Sequence, residues 1–156
     1  MFGDKITTYC GLAEAVLEKL AVHHPAWSEG AGWTGRTALP GGDFPRDGVD
    51  RLAAEIRTRF PFVDARFARH LVRHYGTEAY AILGTARSMA DLGRAFGGGL
   101  TAVEVDHLMV VEFARTAADV VWRRTKAGLR MTAAEIQGLD RWIAAAAPSR
   151  AAQLVG

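Results

Sequence analysis

Four times after residue 47 the chain places a hydroxyl residue three positions ahead of an acid, and an apolar-periodic segment follows each time. The pairs are Ser88 and Asp91, Thr101 and Glu104, Thr116 and Asp119, and Thr132 and Glu135. In such a pair the hydroxyl accepts from an orphan N–H of the first helical turn. The acid reaches back to the chain entering the helix and lies at the positive end of its dipole. One match is weak, but four commit most of the chain to helices. No segment sustains the period-2 alternation of a half-buried strand, and there is no internal repeat. The expected fold is all-α, a bundle of about six helices preceded by one helix and a Pro/Gly-rich linker.

The preceding helix is read over residues 9–22, where Leu12, Val16, Leu17 and Leu20 recur at helical spacing between Glu14, Glu18 and Lys19. Thr7 or Thr8 can cap it, and His23-His24-Pro25 ends it, because proline disfavours helical dihedrals in the residue before it. Residues 25–46 hold eight glycines and prolines and read as a linker. Trp27, Trp33 and Phe44 within it predict that it packs on something. The helical domain is expected over 47–146, with a frayed tail over 147–156.

Composition narrows the function classes. At 156 residues and 49% hydrophobic content the chain can build one ordinary core. A formal net charge of +2 supplies no strong field for nucleic acid. Cys10 is the single cysteine, so an intramolecular disulfide is excluded and a reducing compartment fits. No apolar run approaches the roughly 20 residues that span a bilayer, and no signal-peptide order opens the chain. The expected location is cytoplasmic.

Several stretches look like sites and read better as structure. GAGWTG, Gly30 to Gly35, matches the dinucleotide fingerprint in letters, yet neither a strand enters it nor a helix leaves it. His70 and His74 stand at metal-ligand spacing among Arg66, Arg69 and Arg73, which would repel a cation; a solvated basic face is expected and no metal. With Arg57 and Arg59 that face is the best case for nucleic acid, a weak one at this net charge. Gly97-Gly98-Gly99 could nest an anion but reads as a flexible hinge. In WRRTK, Trp122 to Lys126, Arg124 falls on an apolar stripe, as Glu112 does on the helix before it. Two opposite charges on facing apolar stripes predict a buried pair that sets the register of two helices. Asp119 and Arg123 should make a modest surface pair.

HYGTEAYAILG at 74–84 and EFARTAADVVWRRTKAGL at 112–129 resemble the C-terminal helical domain of FAD-dependent (aerobic) glycerol-3-phosphate dehydrogenases and the related α-glycerophosphate oxidases. TALPGGDF at 37–44 and RFPFV at 59–63 resemble the stretches that lead into that domain, and GDKITTY at 3–9 resembles the segment closing the FAD-binding domain. The resemblance covers essentially the whole chain in order. It implies that residues 1–24 are the end of an FAD-binding domain and that 47–146 form a helical cap and interaction domain. Full-length members oxidise glycerol 3-phosphate to dihydroxyacetone phosphate on FAD and pass electrons to quinone or oxygen.

By the same resemblance, Gly3, Lys5, Ile6, Thr7 and Thr8 would lie against the flavin, with Lys5 as the one residue near the chemistry. A lysine and helix-start N–H groups there would stabilise the negative charge that builds on the flavin on reduction. Asp4 and Cys10 stand where the family segment has glycine and arginine, and both changes oppose that role. The expected function is that of a C-terminal cap domain, inactive without an FAD-binding domain as partner, in cis or as a separate subunit. It would be cytoplasmic or peripheral at the inner membrane. The alternative is a free-standing helical module that docks on a separate FAD subunit or on its own copy.

Overall fold

The computed structural model describes residues 8–24 and 35–151, with side chains through residue 146. The chain forms two compact units that divide between Leu39 and Pro40. The first holds helix α1, Tyr9–Leu20. Thr8 takes its N-cap position without a side-chain cap hydrogen bond, and Lys19 complements the dipole in its last turn. None of its residues is buried, and Leu12, Leu17 and Leu20 of the expected stripe are exposed.

The second unit is all-α apart from one small hairpin. Its helices are α2 (Val49–Arg59), α3 (Ala65–Tyr75), the short α4 (Ala79–Leu83), α5 (Ala102–Val110) and α6 (Ala133–Ala151), with a π-helical segment at Asp119–Arg124. Helices α2 and α3 pack on each other. On α3, Ala68, Leu71, Val72 and Tyr75 recur every three or four residues and all are buried, while Arg66, Arg69 and Arg73 stay in solvent. Leu52 and Ile56 of α2, Val105 and Leu108 of α5, Val120 and Val121 of the π segment, and Leu139 and Ile143 of α6 complete one core. Each large side chain so buried contributes about 1.5–3 kcal/mol.

Three of the four caps form as their sequences predict, though the Ser88 cap opens only a four-residue 3-10 turn, Met89–Leu92. Asp91 accepts the N–H groups of Arg87 and Ser88 at 2.8 and 2.9 Å in a full capping box. Asp119 accepts from the N–H of Thr116 at 3.0 Å, and Glu135 from that of Thr132 at 2.7 Å. The fourth does not form. Thr101 is the N-cap of α5 without a side-chain cap bond, its hydroxyl buried, and Glu104 points into the core instead of reaching back. A further cap went unread in the sequence: Asp64 accepts from the N–H of Phe67 at 2.7 Å and starts α3.

Linker and domain meet through two glycines. A Cβ on Gly41 would lie 2.2 Å from the Tyr75 carbonyl, and one on Gly76 would lie 1.8 Å from the Gly41 carbonyl. That approach lets Thr77 N–H donate to the Gly41 carbonyl at 3.1 Å, and Phe44 packs on the core beside it. Trp27 and Trp33, like the GAGWTG stretch up to Thr34, lie outside the described residues.

The triple glycine is a hairpin turn, where the sequence suggested a flexible hinge. Strand β1 (Ala95–Gly97) pairs antiparallel with β2 (Leu100–Thr101). Gly97, Gly98 and Gly99 all take positive φ, between +61° and +102°, which only glycine adopts freely. A Cβ on Gly98 would come within 2.9 Å of Met131 and 3.1 Å of the Ala127 carbonyl, so the turn is seated on the segment before α6. Strands this short leave no period-2 signature to read.

Candidate functional site

The most constrained backbone runs from the end of α5 to Lys126. Val111 N–H donates to the His107 carbonyl at 2.8 Å, and Ala114 N–H to that of Leu108 at 2.9 Å. Closing that turn puts Phe113 at a φ of +56°, a left-handed conformation that costs a non-glycine residue roughly 1–2 kcal/mol. Lys126, at +61°, is the other described non-glycine residue with positive φ, and its ammonium donates to the Trp122 carbonyl. Between them lies the π-helical segment, a rare form that occurs mostly as single turns and frequently near functional sites. Thr125 steadies its end by donating to the Val120 carbonyl at 2.8 Å.

Asp119 anchors the front of this segment. The N–H of Arg115, then the Thr116 hydroxyl and N–H, then the Arg123 guanidinium hold its pKa at about 2, below the ordinary carboxylate range, against a smaller opposing effect of burial. Arg123 meets it at 2.5 Å and is itself mostly exposed, so the ion pair adds little beyond the cap. Asp140 of α6 accepts the Ala117 N–H at 3.1 Å and ties α6 to the same turn.

Glu112 and Arg124 do meet, with a geometry that differs from a buried pair on facing helices. Helix α5 stops at Val110, so Glu112 lies in the turn beyond it. The Arg124 guanidinium donates to the Glu112 carbonyl at 2.8 and 3.1 Å, while the carboxylate stands 3.8 Å away. Both side chains keep about a third of their surface in water (31% and 35%). The contact is a helix-end clamp on a carbonyl, assisted by a weak half-exposed attraction.

Among the described residues the buried acid is Glu104. It is fully buried, and its Oε1 accepts from Tyr75 Oη at 2.8 Å and lies 2.8 Å from His70 Nε2. Burial first, then the Glu104 carboxylate, pushes the Tyr75 hydroxyl far above its ordinary pKa, so it is a fixed donor. This clasp joins α3 to α5. It overturns the reading of His70 as part of a solvated face: the arginines take the solvent, and the histidine turns to the acid. His74 lies beside it, its ring tilted by 43° with ring centres 4.5 Å apart, and its Nδ1 is 2.9 Å from the His70 carbonyl. Among the described residues no group of three histidine, cysteine or acidic side chains could hold a metal.

Of the flavin-contact residues named from the sequence, Gly3, Lys5, Ile6 and Thr7 lie outside the described residues. Thr8 and Cys10 are exposed at the start of α1, whose first turn carries no acid. Two shallow clefts of about 480 Å³ lie elsewhere, one lined by Arg94, Glu135 and Arg141, the other by Leu83, Arg87 and Asp91.

Comparison with known proteins decides the family. The model of the C-terminal domain of alpha-glycerophosphate oxidase matches residues 33–150. The chain belongs to this family. It is 39% identical over 143 residues to the aerobic glycerol-3-phosphate dehydrogenase of Escherichia coli (strain K12), covering 92% of this chain and 28% of that protein. It is 36% identical over 151 residues to a glycerol-3-phosphate dehydrogenase of Pseudomonas aeruginosa, covering 96% of this chain and 29% of that protein. A D-erythritol 1-phosphate dehydrogenase of Brucella abortus is 34% identical over 142 residues, covering 91% and 28%. The chain thus spans less than a third of the length of these relatives. For this family member, the clamp, the clasp and the caps are the architecture of the terminal helical domain.

Proposed function

We propose that this chain is the helical cap of an FAD-dependent dehydrogenase acting on a phosphorylated polyol, glycerol 3-phosphate foremost. It docks on a flavin-binding portion in cis or on a separate subunit and is inactive alone. The observation that carries the reading is the match of nearly the whole chain to the terminal domain of glycerol-3-phosphate dehydrogenases. The described polar groups support it, because the main ones serve caps, the Arg124 clamp and the Glu104 clasp.

FAD, bound by the other portion, would accept the two electrons of the alcohol oxidation. This chain's contribution would come from residues 3–8. The start of α1 fits an anionic edge: it is exposed and its first turn has no acid. Lys5 would add a cation beside those N–H groups, while Asp4 opposes it and Cys10 supplies none. The substrate range, including the choice between glycerol 3-phosphate and a longer polyol phosphate, belongs to the other portion. Among the described residues no helix is long and apolar enough to cross a membrane. We place the complex in the cytoplasm or peripherally at the inner membrane.

The test is direct. Purified chain should show no flavin absorbance and no turnover of glycerol 3-phosphate, and should bind the FAD-loaded portion of a relative. Stoichiometric flavin on the chain alone, with turnover, would overturn the reading. The exposed Leu12, Leu17 and Leu20 of α1 favour a second reading, self-association, which sedimentation equilibrium would reveal as a dimer.

A further inference from the structure

We propose that the face formed by residues 110–130 is the surface on which the flavin-binding portion docks; this rests on the reading of the chain as a cap. Val111, Phe113, Trp122 and Leu129 are exposed on this stretch, Phe113 by 65% and Leu129 by 78%. Its parts adjoin: Arg124 reaches back to the Glu112 carbonyl, and Trp122 lies over Gly128, where a Cβ would stand 2.6 Å from the indole.

Phe113 is the decisive residue. A turn that needs positive φ at a helix end is ordinarily served by glycine, which closes it without strain. Here a phenylalanine takes the strained position and buries little of its ring in return. Most of the ring's area is left for a contact outside the unit, like that of the exposed Trp122 and Leu129 on the same stretch. Strained residues persist where function over-determines them.

Charge selects the occupant. Residues 110–130 carry five cations, Arg115, Arg123, Arg124, Lys126 and Arg130, against Glu112 and Asp119. A two-fold contact between copies would set this face against itself, cation to cation. The occupant therefore presents an apolar patch with an acidic rim. The relatives carry this domain within chains of which it is 28–29%, so in them a much larger body is available to cover such a face.

The experiment titrates the full chain against the FAD-loaded portion of the Pseudomonas aeruginosa relative outside the matched region, its bound flavin certifying its fold. Calorimetry gives the Kd and thermal unfolding the Tm. Phe113→Gly should weaken binding about tenfold or more while the Tm of the free chain holds or rises. Arg130→Glu, a rim change remote from the core, should weaken binding and flatten its salt dependence. Wild-type affinity in both variants would overturn the surface and leave the cap reading standing. Absence of binding by the wild-type chain would overturn both. Self-association of the wild type that Phe113→Gly abolishes would also overturn the proposal, by making the face a contact between copies.

Discussion

Helices α1 and α3 are almost the same length, 12 and 11 residues, and both carry an apolar stripe in sequence. Their fates differ. Helix α3 starts on an Asp64 cap and buries Ala68, Leu71, Val72 and Tyr75. Helix α1 has no side-chain cap and buries none of its residues. Periodicity states which face of a helix is apolar, but it does not state what will cover that face. An isolated helix of 12 residues is marginal in water, so the stability of α1 depends on what it meets, while that of α3 comes from its own unit.

The largest test of this contrast is a pair of truncations. Leu71→Ala should cost about 2–5 kcal/mol, since the side chain is fully buried. Leu17→Ala, on an exposed position of α1, should stay within about 0.5 kcal/mol. Urea denaturation of both reads the difference, and equal losses would show that α1 is as well covered as α3.

Glu104→Gln comes next, because it keeps the volume and removes the charge that the clasp uses. It should cost about 1–3 kcal/mol by the same measurement, as Tyr75 and His70 lose a charged partner. A neutral result would mean that α3 is held to α5 by apolar packing alone. The cap of α3 is smaller: Asp64→Ala should cost about 1 kcal/mol in global unfolding.

The last expected effect is in acid. The folded pKa of Asp119, about 2, lies below that of an unfolded aspartate. Its contribution is therefore complete above about pH 4 and is lost as the pH falls towards 2. Asp119→Asn should remove that share of the acid dependence, leaving a flatter Tm profile between those values. An unchanged profile would show that other carboxylates carry the acid response.

Much of the fold was legible in the sequence because helix starts are local. Ser88, Thr116 and Thr132 each need only a residue three positions away. Thr101 and Glu104 show the limit of that logic. The same letters satisfied the capping pattern, yet Glu104 shares its helix face with Val105, Leu108 and Met109 and so faces the core. Reading Glu104 by face rather than by spacing would have found the buried acid. Glu112 matches an apolar stripe only if α5 runs past Val110, where the helix in fact ends. His70 could be placed only once α5 was known to lie beside α3. The turn of Gly97-Gly98-Gly99 was opaque for a related reason: glycine allows a hinge and a positive-φ hairpin equally, and Met131 and Ala127 decide between them.

By itself the sequence determined the all-α class, three of the four caps it signalled, the apolar stripe of α1 and the family, because these rest on spacing, local hydrogen bonds and motif. Tertiary structure alone decided that Glu104 is a buried acid and that Arg124 grips a carbonyl. It also decided that Phe113 is strained and open to solvent, and that α1 is left uncovered by its own unit. Each of those depends on which segments meet, and a contact between residues distant in sequence leaves no period along the chain.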